Sequence, residues 1–325
     1  MSTSTNFSDT LVSVIMPCYN ASAFINEAIV SVLDQSHTNL ELLIVDDGST
    51  DNCRQIIEGI KDTRIKYFVQ PNKGTCAASN HGLSHAKGSY IKFVDADDIF
   101  NTEHIEEQLK KMEGRTDAIA SSSWARFYND DPQSAIFKSE SVWQDMKPLD
   151  WIKAAMEQPN DMMSAWIWLI PKEVIERSGG FDERLSLNND FEFSVRLLLH
   201  ANDVLFAGKA KTFYRSTNPN SLASQTSESA YADAILATRQ GCNWLMNAEN
   251  SLLMKRLCAN RFQRWVYRIY PRYPALVKEV EHEIEKLGGS DLEIEGSNSI
   301  KLMESCFGWK FTRRLQYHYY RWRSR

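Results

Sequence analysis

Apolar runs alternate with amphipathic segments through the first hundred residues, and this restricts the fold more than any other property of the chain. Residues 11–16, 40–45, 64–69 and 89–94 read as strands, and residues 23–33, 51–60 and 75–86 read as the helices between them. In the first helix Phe24, Ile25, Ala28, Ile29, Val32 and Leu33 fall on one side. Strands joined through helices run parallel, because parallel neighbours need a crossover connection. The expected fold class is therefore α/β, with a mostly parallel, doubly wound sheet flanked by helices. Ligands of such sheets bind beyond the carboxyl ends of the strands.

Three polar motifs lie at those ends: Pro17-Cys18-Tyr19-Asn20, Asp46-Asp47-Gly48-Ser49-Thr50-Asp51 and Asp95-Ala96-Asp97-Asp98. The last follows the apolar strand Tyr90-Ile91-Lys92-Phe93-Val94 directly. Three carboxylates so close repel one another, whereas Mg2+ or Mn2+ takes oxygen ligands and can bridge carboxylates to a diphosphate. A solvated acidic turn, with Asp98 or Asn101 capping the next segment, is the plainer reading. Asp46-Asp47-Gly48 likewise reads as a turn.

With 43% hydrophobic and 24% charged residues among 325, the chain is expected to be globular, as one large domain or two ordinary ones. The net charge of −5 gives no general attraction to nucleic acid. Six scattered cysteines without CxxC spacing, and no signal-like stretch before the first strand, point to a reducing cytoplasm. No run approaches the roughly 18 apolar residues of a membrane span, the nearest being 165–170. Any membrane association is thus expected to be peripheral.

Val12-Ser13-Val14-Ile15-Met16-Pro17-Cys18-Tyr19-Asn20, Val45-Asp46-Asp47-Gly48-Ser49-Thr50-Asp51 and Phe93-Val94-Asp95-Ala96-Asp97-Asp98 together resemble a family 2 glycosyltransferase of the GT-A fold. The resemblance runs from residue 11 to about 200 and takes in Gly179-Gly180-Phe181-Asp182-Glu183 and Asn189-Asp190-Phe191-Glu192-Phe193. It implies a metal-dependent, inverting transfer of a sugar from a nucleotide-diphospho-sugar, most simply a UDP-sugar. The implied acceptor is a hydroxyl of a saccharide or lipid-linked molecule in cell-surface polysaccharide or glycan synthesis.

The resemblance also assigns roles. Pro17 and Tyr19 would lie against the base and ribose, Asp47 would accept from the base N3–H, and Asp46 would be a second contact. Asp97 would ligate Mn2+ or Mg2+, with Asp95 facing the ribose and metal-bound water, while Asp98 supports the loop or caps the next helix. Asp190 would be the general base for the acceptor hydroxyl. Asn189 stands where a glutamate is usual, which removes a negative neighbour and would lower the pKa of Asp190. Ser79 stands where an arginine is usual, and Lys73 could supply the missing charge. Without the resemblance, Asp190 reads as the cap of a helix over residues 191–200. Two other functions fit part of the pattern. A non-catalytic nucleotide-sugar binding protein would keep Asp47 and Asp97 without needing Asp190. A sugar-nucleotide nucleotidyltransferase would need a glycine-rich basic loop, which Met16-Pro17-Cys18-Tyr19-Asn20 lacks.

The expected organisation is a disordered N-terminus (1–10), a catalytic domain (11–215) and a helical extension (216–325). Residues 117–122 are expected as a strand, 143–156 as a partly helical lid carrying Trp143 and Trp151, and Trp166 and Trp168 on a strand that either shows its indoles to one face or buries them in an ordinary core. His81 and His85, four apart, are expected to pack rather than bind metal. Helices are expected at 227–247, 252–269 and 275–287. The tail, 310–325, interleaves arginines and Lys310 with aromatics and holds no acid. It favours an anionic membrane surface, with RNA binding or packing on the acidic catalytic domain as the alternatives, and would place the protein at the inner face of the cell membrane with no nucleic-acid partner expected.

Overall fold

The computed structural model describes residues 7–158, 162–216, 224–294 and 296–323. Most of the expected N-terminal segment (1–6) and the last two residues of the tail lie outside them. The chain divides into two compact units, Met1–Ser224 and Gln225–Arg325.

The first unit is built on β1 (Val12–Cys18), β2 (Leu40–Asp46), β3 (Ile65–Val69), β4 (Tyr90–Phe93), β5 (Ile99–Phe100), β6 (Ile119–Phe127), β7 (Leu169–Pro171) and β8 (Val204–Arg215). They form one sheet in the order β3-β2-β1-β4-β7-β6-β8-β5. β3, β2, β1 and β4 run parallel, β7 is antiparallel to β4 and β6, and β8 is parallel to β6. Val14, Ile15, Met16, Leu42, Leu43, Ile44 and Val45 are fully buried. Helices cover both faces, so these strands read as continuous apolar runs rather than alternating ones. The flanking helices are α1 (Ile25–Leu33), α2 (Cys53–Gly59), α3 (Thr75–His85), α4 (His104–Met112), α5 (Pro148–Glu157), α6 (Lys172–Ser178) and α7 (Asn189–Leu198).

After β1 the chain winds outward through β2 and β3, then crosses back to place β4 on the other side of β1. That reversal opens a crevice above the carboxyl ends of β1 and β4. α3 seals one wall of it by lying directly on β1. A Cβ at Gly82 would stand 2.6 Å from Ile15 Cγ2, so any larger residue would lift the helix from the sheet.

Three local expectations are corrected. Trp166 and Trp168 do not share a strand: Ala165–Ile167 is a single 3-10 turn and β7 begins only at Leu169. Both indoles are buried, and Trp168 Nε1 donates to Ser194 Oγ at 3.0 Å. Nor does 143–156 form a lid over its tryptophans. α5 sinks Trp151 against Trp168 (centroids 4.8 Å apart), while Trp143 stacks on Phe206. Burying such a ring stabilises the fold by roughly 3 kcal/mol, more than a mobile cover would retain. Finally, α7 starts one residue before Asp190, with Asn188 at the cap in the left-handed region (φ 63), so Asp190 sits inside the first turn and is not its cap.

The second unit is helical: α8 (Glu228–Ala248), α9 (Leu252–Ile269), α10 (Pro274–Lys286) and α11 (Asn298–Arg323). Ser227 and Ser251 cap α8 and α9 by accepting from Ala230 N and Met254 N. α11 is kinked at Gly308, whose φ of 76 and ψ of 160 are non-helical.

Candidate active site

The crevice holds a cleft of about 650 Å3. Pro17, Tyr19, Asp47, Asp95, Asp97 and Asp190 all line it, so residues more than 170 positions apart in the chain share one space.

At one end Asp47 is held by three donors. Its Oδ1 accepts from Gln70 Nε2 (2.8 Å) and Lys73 N (2.8 Å), and its Oδ2 from Gly74 N (2.7 Å). Each carboxylate oxygen has two lone pairs, which leaves one on Oδ2 for a flat imide donor. His81 and His85 pack on Phe68, and His81 Nδ1 holds, at 2.8 Å, the Gln70 amide that reaches Asp47. Tyr19, half exposed, lines the same cleft.

Two expected contacts do not reach the cleft. Asp46 turns away: its Oδ1 accepts from Ser49 N (2.7 Å) and its Oδ2 from Tyr67 Oη (2.7 Å), so it anchors the turn. Lys73 gives Asp47 its backbone N–H, and its exposed side chain is not among the cleft-lining groups. Ser79, by contrast, lines the cleft.

Beneath the middle of the cleft, Asp95, Asp97 and Asp98 each offer one carboxylate oxygen, all three within 4.8 Å of one another. Asp98 is fully buried. Its Oδ1 accepts from Arg215 N at 2.8 Å, whereas its Oδ2 has no hydrogen-bond partner. The cap of α4 is Glu103, so Asp98 supports the loop and does not start the helix. Asp95 is open to the cleft, but its enclosure by the cleft walls, then Asp97 and Asp190, push its carboxyl above the usual range. Asp98 is raised in the same way, by burial and then by Asp97 and Asp95. A buried carboxylate oxygen without a partner, beside two repelling neighbours, fits a hard divalent cation.

Arg215, at the end of β8, was not singled out from sequence, because nothing near it in the chain marks it. Its Nε donates to the Asp97 carbonyl (2.8 Å), and its other nitrogens reach Glu27 Oε2 (2.6 Å) and Asp130 Oδ1 (2.5 Å). Its guanidinium lies between the rings of Phe24 and Phe127. The acidic loop is thereby tied to three distant segments.

On the far wall Asp190 Oδ1 accepts from Ala165 N at 3.3 Å. Burial raises the Asp190 carboxyl to about 6, against the lowering pull of the Ala165 N–H and the Ser164 hydroxyl. Loss of the negative neighbour at 189 is therefore outweighed by burial; Asn189 Nδ2 turns to Cys76 Sγ. The approach to α7 is fixed as well. Arg196 makes a two-pronged pair with Glu192 (2.7 and 2.8 Å) and donates to the carbonyls of Ser178, Gly179 and Gly180. Asn80 clamps Phe181 through both its backbone N–H and carbonyl. The 3-10 turn that supplies Ala165 also carries Trp166, stacked on Tyr214 at the cleft wall. Only the fold brings these partners to Asp190.

A mixed sheet of this order, with its acidic loop and cleft at the carboxyl ends of β1, β2 and β4, has the GT-A architecture. The fold agrees with crystal structures of Staphylococcus aureus TarS 1-349. The one in complex with UDP-GlcNAc superposes with a TM-score of 0.70 at 20% identity, over 85% of this chain and 81% of that one. Residues 13–177, about half of the sequence, match Glycosyl transferase family 2, and the chain belongs to that family. An uncharacterized glycosyltransferase of Haemophilus influenzae is 49% identical over 105 residues, 31% of this chain and 42% of that protein. The UDP-Glc:alpha-D-GlcNAc-diphosphoundecaprenol beta-1,3-glucosyltransferase WfgD of Escherichia coli is 44% identical over 105 residues, 32% of this chain and 42% of WfgD. The chain thus spans under half the length of either relative. A longer match, 220 residues at 30% identity, joins 65% of this chain to 62% of the Bacillus subtilis glycosyltransferase EpsJ.

Proposed function

We propose that the chain transfers a sugar, with inversion, from a UDP-sugar to a hydroxyl of a saccharide or lipid-linked acceptor used in cell-surface polysaccharide or glycan synthesis. The observation that carries this reading is that Asp190 opens onto the same cleft as Asp47, Asp95 and Asp97. A lone carboxylate opposite the departing diphosphate suits direct displacement, and hence inversion. UDP-sugars appear in the names of two similar proteins, WfgD and the TarS complex.

In this reading Pro17 and Tyr19 flank the base, and the open lone pair of Asp47 Oδ2 accepts its imide N–H. Asp97 and Asp95 would hold Mn2+ or Mg2+, whose charge would offset that growing on the leaving diphosphate. Asp190, ionised above about pH 6, takes the acceptor proton, and its raised value makes it a stronger base than an exposed aspartate. The Ala165 N–H and the Ser164 hydroxyl hold its carboxylate at the cleft wall. On this reading the protein would work at the inner face of the cell membrane, on the cytoplasmic side.

Asp190→Asn tests the reading against a non-catalytic binding role. UDP-sugar affinity should persist while transfer falls by about 10^2 to 10^4. Transfer at the wild-type rate in this variant would remove Asp190 as the base. Failure of any UDP-sugar to be turned over by the wild type would leave a binding protein.

A further inference from the structure

α11 carries a row of large apolar side chains on the side that its own unit leaves open. Phe307, Phe311, Leu315 and Trp322 are 65%, 51%, 48% and 76% exposed, and Tyr319 lies on the same line. From Phe311 onward a spacing of three to four residues keeps them on one helix face. The Phe307 and Phe311 rings touch across the Gly308 kink, with centroids 5.2 Å apart, so the row continues through it. The opposite face is seated: Thr312 is buried, Trp309 packs on Tyr267 and Tyr270, and Arg313 donates to the Tyr267 carbonyl.

Charge is segregated along the same stretch. After Glu304 the sequence has six Lys and Arg residues and no acid, so the 304 residues before it hold a net −11. Two of the six border the apolar row with exposed side chains: Lys310, ion-paired with Glu281 at 2.8 Å, and Arg314, which donates to the Tyr270 hydroxyl at 3.0 Å.

We propose that this face of α11 docks in the plane of an anionic lipid bilayer, with Phe307, Phe311, Leu315 and Trp322 entering the headgroup–acyl boundary and Lys310 and Arg314 meeting lipid phosphates. An apolar stripe with a basic border is the pattern of an in-plane interfacial helix, and an indole near the helix end suits the membrane–water boundary. No described helix is long and apolar enough to cross a membrane, which leaves this docking as the mode open to α11. Two copies meeting through the stripe would bring their basic borders together, which disfavours self-association. A nucleic acid would satisfy the charge and leave the apolar row in water. The proposal deepens the reading of a membrane-linked acceptor by naming the surface involved, and it rests on that reading for its purpose only. Vesicle binding needs neither donor nor acceptor, so the two fail separately.

The test is sedimentation of the full chain with vesicles of phosphatidylcholine alone or mixed with phosphatidylglycerol. The wild type should partition onto the mixed vesicles and only weakly onto the neutral ones. The triple substitution Phe311→Ser, Leu315→Ser, Trp322→Ser should cut partitioning at least about tenfold. Its melting temperature and its transfer to a water-soluble saccharide acceptor should stay unchanged. Lys310→Gln with Arg314→Gln should weaken binding to the anionic vesicles only. The proposal is overturned by a wild type that stays in solution, by equal binding to both vesicle types, or by a triple variant that binds like the wild type. It is equally overturned if light scattering shows a dimer that the triple variant dissolves, or if single-stranded RNA competes the protein off the vesicles.

Discussion

Arg215 donates its backbone N–H to Asp98 Oδ1 and its Nε to the carbonyl of the neighbouring Asp97, both at 2.8 Å, so one residue at the end of β8 grips the acidic loop from two sides. The backbone bond survives any substitution at 215, whereas the side-chain bonds to Asp97, Glu27 and Asp130 do not. Arg215→Met keeps the stem between Phe24 and Phe127 while removing those bonds. The Mn2+ concentration for half-maximal activity should rise about tenfold, with a smaller change in the sugar-donor KM at saturating metal. An unchanged metal requirement in that variant would show that the loop is rigid without Arg215.

The pH profile of transfer should report Asp190. Its carboxyl is raised to about 6 by burial, so transfer should fall about tenfold per pH unit below that value. The stability sign is opposite to that of a salt-bridged acid. With the folded value above the ordinary 3.8, the ionised group costs stability above about pH 6, and the cost vanishes below 3.8. Asp190→Asn should therefore be more stable than wild type at neutral pH, by at most ~3 kcal/mol, and equal it near pH 3. Thermal scans across pH check this; a variant that melts lower at pH 7 contradicts the buried, ionised base.

Asp47 organises its surroundings besides facing the cleft. Asp47→Ala strands the N–H groups of Lys73 and Gly74 and the Gln70 amide, which should cost about 1–3 kcal/mol of stability. UDP affinity should fall about 10- to 100-fold. Gln70→Ala removes one donor only and should give a smaller loss of affinity. Calorimetry on both variants separates the two effects, and equal losses would mean that Asp47 acts only through the loop.

Phe181 stacks on Phe193 with centroids 3.9 Å apart and meets Phe93 edge-on at 5.2 Å. Phe181→Ala should destabilise the first unit by about 3–5 kcal/mol in denaturant unfolding. Asn80 holds the Phe181 backbone, so Asn80→Ala should loosen the turn before α7 and lower kcat more than donor affinity.

The histidine pair shows where local spacing misleads and where it does not. His81 and His85 stand four apart, a ligand-like interval, yet no acidic partner is near them in sequence, and they pack on Phe68 as that absence predicts.

By itself the sequence determined the strand ends. Continuous apolar runs cannot face water, so β1, β2 and β4 had to be buried in a parallel sheet, and the polar residues after each run had to gather at its carboxyl edge. Pro17, Tyr19, Asp47, Asp95 and Asp97 were legible as edge residues for that reason, whereas Asp190, in the first turn of α7, was marked only by the family resemblance. Tertiary structure decided which of the carboxylates are spoken for. Asp46 and Asp47 are adjacent and chemically alike, but pleating sends one to Tyr67 and Ser49 and the other to the cleft. Asp98 depends on Arg215, 117 positions away, and Asp190 on the turn at Ala165, 25 positions back. Trp166 and Trp168 alternate as a strand would, yet a 3-10 turn lets both indoles reach the core. Hydrogen-bond partners and desolvation are set by neighbours in space. Periodicity sees only neighbours along the chain.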